Sequence, residues 1–379
     1  MALRNTLLLV AASATGGAVA YDAANSYRAE AAAQLEAAGT SVAGAKAAGA
    51  EGAAAAGAVI PVEEPETLVL NLQRGGFVQE ASKLTFTFSI DKMVKGGDAV
   101  EDVTVDDLIV SEDGEVTSPD EGWRRFTSQF RDVRVNHRLL LDLSGSMATE
   151  TQIEAIAVAG GAYIDKVFAT KNTGTHFIAI DGFDGGPVVS IHTYTQDANS
   201  LKAALRSPCG TKLCNDPSTN LNGALQAEIA QLESEANAEA PISDRAIVLI
   251  TDGVDQAGAL DLKETLAKSE KSGVHVYTIA VGPQGDPQRL GAFGKAGNFP
   301  AKEPKDLKKA AEAVAARTPL LGNHFYRLEY CTPKRGGTHT IKLKVRHKGE
   351  GPEVLVGWLD QPFELQTEKF DCDLPKPKR

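Results

Sequence analysis

Between residues 134 and 320 short apolar strands alternate with stretches whose apolar residues recur at helical spacing, and this alternation constrains the fold most. The predicted strands are 138–143, 176–183, 188–194, 246–251 and 274–281. The predicted helices are 153–168, 201–206, 221–232, 260–269 and 307–316. Such alternation is typical of a parallel sheet covered by helices on both faces. We therefore predict a doubly wound, mostly parallel α/β domain over residues 134–320.

The segments on either side of this domain show the two-residue period of β-strands. The strands predicted there are 68–72, 84–90, 108–110, 325–329, 338–345 and 354–358. Asp113 and Gly114 predict a hairpin turn. Because the chain ends of an open α/β domain commonly lie close together, we predict one all-β sandwich built from residues 62–133 and 321–375. Two separate β modules are the alternative, although about 60 residues each is marginal for folding alone.

The first 20 residues have the order of a secretory signal. Arg4 precedes an apolar run, and Ala18, Val19 and Ala20 stand before Tyr21. The run of about 15 residues is shorter than the roughly 20 that a helix needs to span a bilayer. We predict export to the periplasm, the cell surface or the exterior, with a retained membrane anchor as the alternative. Residues 21–61, rich in Ala and Gly, are predicted to form a tether.

The four cysteines are interpreted in the light of export. An even number in an oxidising compartment indicates disulfides, and three pairings are formally possible. The local pairing, Cys209 with Cys214 and Cys331 with Cys372, is favoured because the first closes a tight loop and the second brackets one β segment. Zinc is the alternative for the close pair, but no second close Cys/His pair completes four ligands.

Composition excludes two classes of protein. A hydrophobic fraction of 42% and a charged fraction of 23% are ordinary for a soluble globular chain and exclude a polytopic membrane protein. The formal net charge of −11 argues against nucleic acid as a partner, because an acidic surface repels a phosphate backbone.

A candidate metal site follows the first predicted strand of the α/β domain. Asp142, Ser144 and Ser146 come directly after an apolar run. Thr219 precedes the predicted helix 221–232, and Asp252 follows the fourth predicted strand. Carboxylates and hydroxyls are hard oxygen donors that suit Mg²⁺ or Mn²⁺. Because the carboxyl ends of parallel strands lie at one edge of a sheet, we expect these side chains to meet. The alternative is that the two serines only cap the helix that follows.

Three segments together carry a family resemblance: 142–146, 218–225 and 250–253. With them, residues 135–320 resemble a von Willebrand factor type A domain, the Rossmann-like fold shared with integrin I domains, of a type exported by bacteria. Asp142, Ser144 and Ser146 match that family's metal-ion-dependent adhesion site. The resemblance implies that both serines bind the ion through their hydroxyls. It implies that Asp142 and Asp252 bind the ion directly or through water. It also implies that Thr219 binds the ion directly in one state of the site and through water in another.

The function predicted from these residues is divalent-cation-dependent protein binding. In the resembled family an Asp or Glu of a partner protein completes the metal shell. A structural or regulatory subunit of an envelope assembly is one alternative. A phosphohydrolase with Asp142 as nucleophile is another, but Ser144 stands where such chemistry usually has a second carboxylate. No G-x-S-x-G or H-E-x-x-H motif is present, so we predict no enzyme. Nothing in the residues predicts the oligomeric state.

Overall fold

The computed structural model of the chain describes residues 67–92, 94, 96–119, 121–128, 133–170, 174–236, 242–253, 255–258, 260–282, 287–348, 354–366 and 370–374. The described strands are β1 (Leu68–Glu80), β2 (Lys83–Lys92), β3 (Leu108–Glu112), β4 (Glu115–Val116), β5 (Arg124–Ser128), β6 (Arg134–Asp142), β7 (Thr175–Phe183), β8 (Val189–Thr195), β9 (Ser243–Thr251), β10 (His275–Val281), β11 (Gly297–Ala301), β12 (Phe325–Cys331), β13 (Gly337–Lys348) and β14 (Val354–Leu365). The described α-helices are α1 (Glu150–Ala169), α2 (Ala198–Leu205), α3 (Leu221–Ala236), α4 (Leu262–Ser272), α5 (Pro287–Phe293) and α6 (Leu307–Arg317).

The N-terminal predictions, a signal or anchor at 1–20 and a tether at 21–61, lie outside the described residues. Among the helices that the structure describes, none is long and apolar enough to cross a membrane.

A six-stranded sheet in the order β11-β10-β9-β6-β7-β8 forms the centre of the α/β part. Neighbouring strands are parallel except β8, which runs antiparallel to β7 at one edge. The side chains of β6 alternate between two apolar layers: Leu139 and Leu141 pack in the layer of α1, α2 and α6, whereas Leu140 packs in the layer of α3 and α5. The predicted doubly wound, mostly parallel fold is therefore confirmed.

The β segments on both sides of the α/β part contribute to two four-stranded sheets. One has the order β1-β2-β12-β5 and the other β14-β13-β3-β4. Both sheets contain strands from before and after the α/β part. One apolar cluster that includes Phe86, Phe88, Val110, Leu328 and Leu343 fills the space between them. The sandwich is thus built from N- and C-terminal segments, as predicted. The proposed domain bounds, 62–133, 134–320 and 321–375, stay predictions.

Both predicted disulfides are formed. Cys209 and Cys214 are bonded with a Cα–Cα distance of 5.3 Å, and Cys331 and Cys372 with one of 6.0 Å. The zinc alternative is therefore wrong, because both cysteines of the close pair are bonded. The wider bond joins the end of β12 to the C-terminal segment across 41 residues, and the chain-entropy model gives it about 4 kcal/mol of stabilisation.

Candidate metal centre

Loops after β6, β7 and β9 and the loop before α3 meet at the carboxyl end of the central sheet. Backbone hydrogen bonds join them: Leu143 N to Phe183 O (2.7 Å), Gly145 N to Pro217 O (3.2 Å), Asn220 N to Asp184 O (2.9 Å), and Gln256 N and Ala257 N to Thr219 O (2.9 and 3.0 Å). The loops that carry the predicted ligands are therefore held against one another by their main chains.

Asp142 is the innermost of the predicted ligands. Its carboxylate is fully buried and accepts hydrogen bonds from Ser144 N at 3.0 Å and from the Thr251 hydroxyl at 2.6 Å. Burial raises the pKa of Asp142 to about 6, against the effect of these hydrogen bonds, and the nearby Asp252 carboxylate raises it further. A carboxylate that lacks solvation and faces another carboxylate favours a cation beside it.

Ser144 and Ser146 differ in exposure. The Ser144 hydroxyl is buried and close enough to Asp142 to lower the pKa of that carboxyl, but it makes no hydrogen bond of normal geometry. Ser146 is exposed, and its hydroxyl donates to Asp252 Oδ2 at 2.5 Å, while Asp252 itself is half-buried. A buried hydroxyl without a partner is costly unless another ligand binds it. Together with two carboxylates, these hydroxyls fit a hard divalent cation such as Mg²⁺ or Mn²⁺.

Thr219 is buried, and its main-chain carbonyl oxygen accepts hydrogen bonds from Gln256 N and Ala257 N. Two aspartates hold the segment around it. Asp184 accepts from the main-chain N–H groups of Gly186, Asn215 and Asp216 at 3.0 to 3.4 Å. Asp255 accepts from Leu221 N at 3.1 Å and from the Asn222 side chain at 2.7 Å, at the start of α3. Neither aspartate was among the predicted ligands.

The family model of the von Willebrand factor type A domain matches residues 138–313. The chain contains a von Willebrand factor type A domain. Solved structures similar to it include the three described next, and no curated protein matches the chain. A von Willebrand factor type A protein from Catenulispora acidiphila is 14% identical over 79% of this chain and 74% of its own, with a TM-score of 0.40.

The second similar structure is proximal thread matrix protein 1 from the mussel byssus, with a zinc-occupied MIDAS motif. It is 17% identical over 50% of this chain and 48% of its own, with a TM-score of 0.41. The third, a manganese-loaded TRAP protein from Plasmodium vivax, is 14% identical over 64% of this chain and 97% of its own, with a TM-score of 0.39.

Gly185 offers a test of the candidate metal site that alters no predicted ligand. A Cβ atom on Gly185 would lie 2.0 Å from Ser218 Oγ and 2.5 Å from Asp216 Cγ. Gly185→Ala must therefore displace these two hydrogen-bonded side chains, which belong to the segment that leads to Thr219. We expect at least about a tenfold loss of Mg²⁺ affinity, measured by calorimetric titration, and a loss of about 1–3 kcal/mol in stability from overpacking.

Gly186→Ala is the matched control for this substitution. Its Cβ would lie 3.3 Å from Asp184 Oδ1, which is tight but requires a much smaller shift than the neighbouring site. We expect Gly186→Ala to retain most of the affinity. Equal affinity of Gly185→Ala and the wild type would show that Thr219 and its loop do not contribute to binding.

Proposed function

We propose that the chain binds a protein partner through a divalent cation, Mg²⁺ or Mn²⁺, held by Asp142, Ser144, Ser146, Thr219 and Asp252. The buried Ser144 hydroxyl, which lacks a hydrogen bond of normal geometry next to the desolvated Asp142 carboxylate, is the observation that supports the site best. When bound, such an ion supplies positive charge and coordination positions for oxygen ligands.

The gradient of exposure across the site supports binding at the surface. Asp142 and Ser144 are buried, Asp252 is half-buried and Ser146 is exposed. Asp142 holds negative charge on the inner side, and Ser146 and Asp252 present oxygens toward solvent. An acidic side chain of a partner is the ligand whose charge and oxygen atoms suit this outer side, because Mg²⁺ prefers carboxylate and water oxygens.

Von Willebrand A domains are typically interaction modules without catalytic activity, which supports a binding function rather than an enzyme. The site also has a serine at position 144 and no second carboxylate there for acid–base work. We further propose that the protein is exported to the periplasm, the cell surface or the exterior. Its two disulfides support that location, because disulfides persist in oxidising compartments.

The test is capture of envelope or extracellular proteins by the immobilised full chain. We expect capture in Mg²⁺, loss of capture in chelator, and loss with Asp252→Ala. Glu150→Gln, which removes an exposed carboxylate at the start of α1, should capture like the wild type. A Glu-rich peptide should compete with the captured protein, whereas its Gln counterpart should not.

Two outcomes would contradict the proposal. Capture that persists both in chelator and with Asp252→Ala would favour the alternative of a structural or regulatory subunit in an envelope assembly. Hydrolysis of a simple phosphate ester by the wild type, lost with Asp142→Asn, would favour the phosphohydrolase.

A further inference from the structure

A second cluster of buried titratable side chains lies at the opposite end of the central sheet. It consists of Asp91 from β2, Asp244 from β9, His275 at the start of β10 and His324 directly before β12. These side chains belong to residues that are 1–5% exposed. Seven residues of β9 separate Asp244 from Thr251 at the first site, which is about 23 Å of strand. The two sites are therefore distinct.

Two atoms of this cluster face each other without a hydrogen bond. Asp91 Oδ1 lies 3.1 Å from His324 Nδ1, and both atoms are buried and make no hydrogen bond. The other oxygen of Asp91 is satisfied, because it accepts from Asn71 Nδ2 at 2.7 Å and from Gly96 N at 2.8 Å. A cation is needed between this oxygen and this nitrogen, and it is either a proton or a metal ion.

The remaining contacts orient the two imidazole rings. His324 Nε2 lies 2.8 Å from Asp244 Oδ2, with hydrogen-bond geometry. His275 Nδ1 lies 2.9 Å from the carbonyl oxygen of Gly97, which can only accept, so this nitrogen donates. In neutral His275 the lone pair is then on Nε2, which faces Asp244 Oδ1 at 3.1 Å. This nitrogen and this oxygen also need a proton or a metal ion beside them. Rings fixed by a carboxylate or a carbonyl through one nitrogen are the usual arrangement of metal-binding histidines.

We propose that Asp91, His275 and His324 form a second metal site, specific for a transition metal of the zinc type. One oxygen of Asp91 and one ring nitrogen of each histidine lie within 4.8 Å of one another. Two imidazoles with one carboxylate suit zinc, whereas Mg²⁺ prefers oxygen ligands alone. Ligands at about 2.0–2.1 Å from a tetrahedral ion lie roughly 3.3 Å apart, close to the distance between Asp91 and His324.

In the absence of the metal a proton takes its place. Burial acts to lower the pKa of His324, but Asp244 and Asp91 outweigh burial and raise this pKa to about 10. The charged or titratable side chains against this ring are Asp91, Asp244 and His275.

The site would join the two parts of the chain. Asp91 and His324 belong to the sheet β1-β2-β12-β5, or directly precede it, whereas Asp244 and His275 belong to the central sheet. Because the cluster is buried, the ion is expected to bind as the chain folds. The test therefore uses refolding rather than simple addition of metal.

The experiment uses the full chain carrying Asp252→Ala, so that the first site does not contribute. The protein is unfolded in denaturant with its disulfides intact, refolded with Zn²⁺ or with chelator, and desalted before metal analysis. We expect about one Zn²⁺ per chain after refolding with Zn²⁺, and at least about a tenfold lower content when His275→Gln is added. His192→Gln on β8 is the control and should retain the ion.

Co²⁺ gives a second readout that needs no further variant. Refolding with Co²⁺ should produce the intense visible absorption of a tetrahedral ion with nitrogen and oxygen ligands, and this result stands even if the histidine variant fails to fold. Refolded protein that retains neither ion after desalting would overturn the proposal and leave a buried ion-pair network held by a proton. Retention unaffected by His275→Gln in a folded protein would overturn it as well.

Discussion

In chelator-treated protein, Mg²⁺ is expected to raise the melting temperature of the wild type and to leave that of Asp252→Ala unchanged. A ligand that binds only the folded state adds about 2.7 kcal/mol at a concentration 100 times its Kd. For a chain of this size roughly 2–4 °C of melting temperature correspond to each kcal/mol, so the wild type should gain roughly 5–10 °C. Mg²⁺ is the appropriate ion because it prefers oxygen ligands and should not bind the imidazoles of the second site.

Without metal, the melting temperature of Asp252→Ala should no longer lie below that of the wild type. Asp252 raises the pKa of Asp142, which means that the two carboxylates repel each other in the absence of a cation. Asp252→Ala removes this repulsion, so at neutral pH and in chelator the variant should melt at or above the wild type. Glu150→Gln should respond to Mg²⁺ like the wild type. A full Mg²⁺ shift in Asp252→Ala would show that this carboxylate is not a ligand.

The central sheet could be predicted because its strands carry a strong local signal. All the residues of β10, and most of β6 and β9, are buried, so their apolar runs stand out from the helices between them. β11 and α5 were missed. β11 contains Gly297 and Pro300 and buries only Ala301, which an edge strand tolerates but no strand pattern reveals. α5 has seven residues, which is too short a window for helical periodicity.

In the sandwich the strands could be predicted but their pairing could not. β1 continues to Glu80, beyond the predicted 68–72, because its register with β2 shifts between Leu72 and Phe77. Gly75, with a φ of 66°, lies in this irregularity and interrupts the alternation. β12 pairs with both β2 and β5, and β13 pairs with β3, although the paired residues are at least 198 positions apart in the chain. No local sequence pattern indicates which strands pair over such separations.

The first site could be inferred from chain order, whereas the second could not. Asp142, Ser144 and Ser146 are neighbours in sequence, and Thr219 and Asp252 each stand beside a predicted strand or helix. The second cluster takes its side chains from four separate strands or their flanks, and no sequence motif links them. Only the pairing of β2 with β12, and of β9 with β10, brings these groups together.

A third buried cluster surrounds Arg138 in the middle of β6. Its guanidinium group contacts three carboxylates: Asp181 at 2.8 Å, Glu228 at 3.1 Å and Glu235 at 2.6 Å. Its Nε donates to the hydroxyl of Tyr194 at 2.9 Å. One positive charge faces three acidic groups, so the pKa of Glu228 is raised to about 7, first by burial and then by Asp181. Arg138 supplies the positive charge that stabilises these carboxylates in the interior.

Arg138→Met is expected to destabilise the protein by about 3–5 kcal/mol near pH 8, because it leaves several buried carboxylates without a cation. The loss should be smaller near pH 5 (about 1–3 kcal/mol), where Glu228 and Asp181 can hold protons instead. Arg206→Met, at an exposed arginine after α2, should stay within about 0.5 kcal/mol. Denaturant unfolding at both pH values measures the difference, and a loss independent of pH would contradict this account.

Glu228→Gln tests whether Glu228 holds a proton in the folded protein. Because the pKa of Glu228 in the folded protein lies above its ordinary value of 4.5, the folded state binds this proton more tightly than the unfolded state. The stabilisation is complete below about pH 4.5 and is lost as the pH rises through about 7, an effect of order 3 kcal/mol. Glu228→Gln cannot titrate, so its free energy of unfolding relative to the wild type should rise between about pH 5 and pH 8. A constant difference would mean that Glu228 is ionised throughout and that Arg138 alone neutralises it.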